Sequence, residues 1–209
     1  MGVFDKNLQN KTDTGAICPH CKTILIPPPK RKSKCPRCEK DIFVRTDPFN
    51  KSKTYYLNMD NAYCLDMLRN TNITEKVYSE AIKKAKPESS IGDIVWGLVS
   101  QEKQKAARKG DWFTVANFTD IQARYYYLTG RDYFKLLQQG MKERLTAELG
   151  NCTHVQISSC RDDRTCKKCA SQNGVKLTIQ EAIETMPIPM KCDNGEGWCR
   201  CTYTYSTER

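Results

Sequence analysis

Twelve cysteines, most of them set in Cys-x-x-Cys or Cys-x-Cys pairs, constrain this chain more than any other feature. Two uses compete for so many thiols. A disulfide framework belongs to exported chains, whereas closely paired cysteines place two sulfurs where one metal ion can bind both. The opening MGVFDKNLQN has no apolar run behind a basic end, which predicts a chain that is not secreted by a signal of its own. Metal chelation is therefore the reading of the cysteines. Mean hydropathy is -0.67 over 209 residues, and no stretch approaches the roughly 18 apolar residues of a membrane helix, so no membrane partner is expected.

The first cluster is Cys18-x-x-Cys21 and, after thirteen intervening residues, Cys35-x-x-Cys38, each pair built as Cys-Pro-x-Cys. Two such turns supply the four sulfurs of a closed tetrahedron, and closed tetrahedra hold structure rather than perform chemistry. Ile24, Leu25 and Ile26, then Ile42, Phe43 and Val44, read as short strands after each turn. Residues 1–46 are thus a zinc ribbon. His20 lies inside the first turn and reads as an exposed side chain.

The net charge of +10 is concentrated at this end, since residues 1–54 hold twelve Lys/Arg against five Asp/Glu. Lys30, Arg31, Lys32, Lys34 and Arg37 form the densest group, able to touch phosphates or an acidic protein surface. No aromatic residue is interleaved with them, so base stacking is not expected. The corresponding expectation is weak, non-specific DNA contact or a solvated face.

A polar stretch, Thr46 to Thr54, reads as a linker to a helical segment over residues 55–150. There Ile73, Val77, Tyr78, Ala81, Ile82 and Ala85 keep helical spacing up to Pro87. Ser90 with Asp93 starts a second helix and Asp111 caps a third, which Gly130 closes; a fourth runs to Gly150. The stripes predict a small antiparallel bundle, with the Tyr125, Tyr126, Tyr127 run in its core or at an interface. HExxH, a glycine-rich phosphate loop and GxSxG are all missing from the sequence, and the expected function is non-enzymatic.

Residues 151–209 hold the second cluster. Val155 and Ile157 alternate as a strand, Cys166-x-x-Cys169 follows, and Thr178 with Glu181 forms a capping box for a short helix that ends at Pro187. Cys199, Cys201, Tyr203 and Tyr205 share one face of a final extended segment. The predicted ligands are Cys166, Cys169 and Cys192, with Cys199 or Cys201 as the fourth. Cys160, Cys152 and His154 are reserves. Two Zn2+ ions per chain are expected, one in each cluster. The whole is an α+β chain: ribbon, helical bundle, and a small α/β zinc-binding module.

The order Asp-x-Arg-Thr-Cys-x-x-Cys, Asn-Gly, short helix, Pro-x-Pro and Cys-Arg-Cys resembles the C-terminal module of the phage Mu F-like minor head proteins, the phage head morphogenesis family. The matching positions are Asp162 or Asp163, Arg164, Cys166, Cys169, Gly174, Glu181, Pro187, Pro189, Cys199, Arg200 and Cys201. Family members usually carry a His before Cys-Arg-Cys where this chain has Cys192 and a longer insert, and the N-terminal ribbon is outside the family pattern. The resemblance implies a minor component of a phage or prophage capsid that meets portal or capsid proteins. It would act in the host cytoplasm during assembly and remain in the virion interior. The competing expectation is a zinc-ribbon adaptor that binds nucleic acid, and a metal-dependent nuclease using Asp162 and Asp163 is a distant third.

Overall fold

Each Cys-Pro-x-Cys turn closes on itself through the same hydrogen bonds. In the first, the Lys22 amide donates to the Cys18 carbonyl at 3.1 Å and the Cys18 amide to the Thr23 carbonyl at 2.9 Å. In the second, Glu39 donates to Cys35 and Cys35 to Lys40, both at 2.9 Å. Lys22 and Glu39, each directly after the last cysteine of its turn, take positive φ values of 62° and 58°. The strain this places on a residue with a Cβ recurs at equivalent positions, which marks two copies of one turn. The computed structural model describes residues 16–193 and 197–207; the first fifteen residues of the sequence-defined ribbon lie outside them.

The chain is mixed helix and strand and divides into two compact units, residues 1–102 and 103–209. In the first unit, β1 (Ala16–Ile17) pairs antiparallel with β2 (Ile24–Leu25). A second sheet has the order β3 (Ser33–Lys34), β4 (Asp41–Thr46), β5 (Thr54–Leu57). The strands expected after each knuckle are therefore present. Ala16, Cys18, Leu25, Cys35 and Ile42 form the small core between the knuckles.

The stretch 46–54 is not the separating linker that its polar composition predicts. Asp47 is buried, with Oδ1 accepting from the Phe49 and Asn50 amides at 2.9 Å and Oδ2 from the Tyr55 hydroxyl at 2.8 Å. These bonds fold the stretch into the β4–β5 connection, so a run of polar residues serves to satisfy a turn rather than to solvate a spacer. Beyond it lie α1 (Met59–Met67), a 3-10 turn (Leu68–Asn70), α2 (Glu75–Lys84) and α3 (Ile91–Arg108). Helix α1 is additional to the four expected. It starts at Asn58, whose side chain accepts from the Asn61 amide, and it buries Ala62, Cys64, Leu65 and Met67. Arg45 of β4 donates through Nε to both carboxylate oxygens of Asp66, at 3.0 and 2.9 Å, tying α1 to the sheet. The Ser90 and Asp93 start of α3 is present as reciprocal bonds between side chain and backbone.

In the second unit, α4 (Trp112–Leu128) and α5 (Phe134–Ala147) form an antiparallel hairpin. Asp111 caps α4 by accepting from the Thr114 amide at 3.0 Å. Buried Glu143 accepts from Thr119 and, at 2.8 Å, from Gln139, with Lys103 Nζ at 3.7 Å. The tyrosine run is largely used inside the unit. Tyr125 is buried, and Tyr127 meets Tyr133 and Trp198 edge-on with centroids 5.2 and 5.3 Å apart.

The rest of the unit is a three-stranded antiparallel sheet in the order β7 (Lys176–Thr178), β6 (His154–Ser158), β8 (Thr202–Ser206). Two short helices accompany it, α6 (Lys167–Gln172) and α7 (Ile179–Thr185). Leu137 and Leu145 of α5 share one hydrophobic cluster with Val155, Ile157, Ile179, Ile188 and Tyr203. The sequence boundary at 150/151 thus falls inside a continuous core, because α5 supplies the apolar face that so small a sheet needs to cover it. Leu145 is fully buried in this cluster, and Leu145→Ala is expected to cost about 2–5 kcal/mol by chemical denaturation. The capping box at α7 has both halves, Glu181 N to Thr178 Oγ1 at 3.1 Å and Thr178 N to Glu181 Oε2 at 2.8 Å. Thr178→Ala should cost about 1 kcal/mol in the same assay. Among the described residues no helix is long and apolar enough to cross a membrane.

Candidate metal centres

The first centre is built from the two knuckles facing each other. Cys18, Cys21, Cys35 and Cys38 have all their sulfurs within 4.8 Å of one another. Cys18 to Cys38 is 3.8 Å and Cys21 to Cys35 is 3.6 Å. Four thiolates around one zinc with bonds of about 2.3 Å would sit about 3.8 Å apart, so the spacing fits the group. Backbone amides support the sulfurs, His20 N donating to Cys18 Sγ and Arg37 N to Cys35 Sγ, each at 3.4 Å. All four predicted ligands are therefore together. His20 stays outside the group, its Nε2 3.1 Å from the Asp41 carbonyl.

Crowded thiols cannot all ionise without a cation. Hydrogen bonds with Thr23 bring Cys21 down to about 6. The Lys40 amide pulls Cys38 down, yet burial and the neighbouring Cys21 and Cys35 thiols carry it up to about 11. A metal ion removes this conflict by stabilising every thiolate at once, with release of protons on binding.

The second centre gathers residues far apart in sequence. Cys166 caps α6, its sulfur accepting from the Cys169 amide at 3.3 Å, so this Cys-x-x-Cys is a helix start where the first knuckles are loop turns. Cys192 comes from the segment after α7, and Cys199 and Cys201 immediately precede β8. Two groups of three result: Cys166, Cys169, Cys192 and Cys169, Cys199, Cys201, with sulfurs in each within 4.8 Å. Cys169 Sγ is 3.4 Å from Cys192 Sγ and 3.8 Å from Cys199 Sγ. All five predicted cysteines thus converge, with Cys169 common to both groups. A purely thiolate donor set suits zinc and other soft ions. The hydrogen bond from Cys201 draws Cys199 down to about 5, and the same bond to Cys199, aided by burial, pushes Cys201 strongly up. Burial also lifts Cys169 to about 11.

Asp162 and Arg200 hold the halves of this centre together. Arg200 donates through both terminal nitrogens to the two Asp162 oxygens at 2.7 and 2.6 Å, and Thr165 Oγ1 donates to Oδ1 at 2.9 Å. This pairing keeps the Asp162 carboxyl well below the usual carboxylate range, Arg200 being the main cause. The Asp-x-Arg-Thr loop before α6 is thereby fastened to the Cys-Arg-Cys segment. The pairing had no separate signal in the sequence, where the Asp and Arg are 38 residues apart. An arginine-engaged Asp162 is also poorly placed to serve a hard catalytic cation.

Of the reserve residues, Cys160 is exposed but lines the same small cavity as Cys166, Cys169, Cys192 and Cys201. Cys152 and His154 belong to neither group; His154 Nδ1 is 2.9 Å from Thr153 Oγ1. Of the basic set, Lys30, Arg31, Lys34 and Arg37 are exposed. Lys32 is engaged, 2.8 Å from Asp41 Oδ2 and 4.7 Å from the Phe43 ring centroid.

Compared as a whole, the chain matches no protein-family model, no curated protein and no solved structure.

Proposed function

We propose that the chain is a non-enzymatic, zinc-stabilised minor head protein of a phage or prophage, acting in capsid assembly or at the portal. The observation that carries the reading is the use made of the motif shared with the Mu F-like module. Asp162, Cys166, Cys169, Cys199, Arg200 and Cys201 make one centre, and Glu181 makes the capping box beside it. Residues that recur in order in that module thus do one structural job here. Zinc is the ion assigned, because sulfur-only donor sets favour it, the ribbon sulfurs have tetrahedral spacing and no redox role is required.

The test is sedimentation of lysates from cells producing the chain together with a head-gene cluster that includes portal and capsid proteins. The chain is expected in procapsids and heads, and its recovery only in the soluble fraction would overturn the reading.

The exposed basic residues Lys30, Arg31, Lys34 and Arg37 favour one alternative, a ribbon adaptor that binds nucleic acid. A head protein touching DNA incidentally should show a log-log salt slope of about -3.5 for four phosphate contacts and no sequence preference. Fluorescence anisotropy over a salt series reads this directly. Sequence-selective binding that survives about 0.2 M salt would favour the adaptor instead.

A further inference from the structure

We propose that the C-terminal cysteine group is a thiolate-bridged centre for two zinc-type ions, with the Cys169 sulfur shared between them. This deepens the zinc reading above and rests on it. A single tetrahedral ion needs four sulfurs mutually about 3.8 Å apart, as bonds of about 2.3 Å dictate. The ribbon satisfies that requirement, its four sulfurs forming one group within 4.8 Å. The five C-terminal sulfurs do not. Among the described residues they form two groups of three, and no four of them lie within that distance together. Cys166 and Cys192 lie with Cys169 in one group, Cys199 and Cys201 with Cys169 in the other.

Each triad presents three corners of a tetrahedron, and a thiolate has lone pairs for two metals. Two divalent ions among five thiolates leave a net charge of -1. One ion held by four of them leaves -2, with a fifth thiol packed against the site. The two-ion arrangement is therefore the less costly to bury, since unbalanced charge in a low-dielectric site is heavily penalised. Arg164 and Arg200 line the adjoining cavity and oppose the residual negative charge. Cys160 opens onto that cavity with its thiol donating to the Arg200 carbonyl oxygen at 3.5 Å, so water would complete the fourth position of each ion and the charge stays at -1.

The full chain, stripped of metal and reloaded with isotopically enriched cadmium as the only ion, separates the possibilities by cadmium NMR. Three resonances are expected: one singlet from the ribbon, and two that split each other through the shared Cys169 sulfur. Native mass spectrometry of the zinc form should then give three ions per chain. Cys201→Ser should remove the mutual splitting while the ribbon singlet is unchanged. One unsplit C-terminal resonance, with two zinc ions per chain, would overturn the bridged centre and leave the zinc reading in place. A ribbon resonance alone would overturn both. Because the unaltered chain gives the deciding spectrum, poor folding of a variant does not weaken the test.

Discussion

Replacing Cys35 by Ser is expected to unfold residues 16–42 while the second unit keeps its structure. The core between the knuckles consists of five buried residues, two of which, Cys18 and Cys35, are themselves proposed ligands. Cys35 is only 1% exposed. So small an apolar cluster cannot order its own backbone, and metal binding, about 10–16 kcal/mol in comparable small zinc modules, has to supply the difference. Hydrogen exchange followed by mass spectrometry should show protection lost across β1 to β3 and the start of β4. Peptides from residues 103–209 should stay protected, and one zinc ion should be lost. The β4–β5 pairing, with Asp47 and the Arg45–Asp66 contact behind it, should persist at least in part because it has partners outside the knuckles. Loss of protection in both units would contradict the independence of the ribbon, and unchanged protection would contradict its dependence on metal.

Cys169→Ser should have the larger effect on the second unit. Cys169 is the one sulfur common to both C-terminal groups, and it lies 3% exposed in the cluster that also holds Leu145, Val155, Ile157 and Tyr203. Its replacement removes a ligand, loosens Cys192 and the Cys199–Cys201 segment from α6, and leaves a hydroxyl facing sulfur. The C-terminal metal should be absent from the purified variant while the ribbon ion remains, and the thermal transition of the second unit should fall sharply or vanish. Cys64→Ala is the control. Cys64 is buried in α1 and belongs to no cysteine group, so the variant should keep every metal ion. A Cys169→Ser chain with full C-terminal metal would show that the sulfur is not a ligand.

The parts of this fold that local chemistry dictates were readable in advance. The repeated Cys-Pro-x-Cys turn brings its own hydrogen bonds, so spacing alone located the first centre and the strands after it. The Asp111 cap, the Ser90–Asp93 start and the Thr178–Glu181 box depend on residues three apart, and each is present. What could not be read depends on distant partners. Asp47 looks like any turn carboxylate until the Tyr55 hydroxyl and two amides bury it. Helix α1 carries a weak sequence signal because its buried face, Ala62, Cys64, Leu65 and Met67, includes a cysteine and its start, Asn58-Met59-Asp60-Asn61, is mostly polar. The position of Cys169 between two pairs of sulfurs follows from how the 192 segment and the approach to β8 meet α6. No interval between cysteines encodes that meeting. Likewise α4 and α5 carry ordinary helical stripes, and only the packing shows that α5 completes the core of the sheet.

The most direct measurement of the central claim, that both cysteine groups hold zinc through sulfur, is zinc-edge X-ray absorption on the full chain purified without chelator, together with its Cys18→Ser variant. The account predicts a first shell dominated by sulfur at about 2.3 Å in both proteins, the variant retaining the C-terminal signal with less zinc per chain. A shell dominated by nitrogen or oxygen at about 2.0–2.1 Å, or a variant left with no zinc at all, would contradict it.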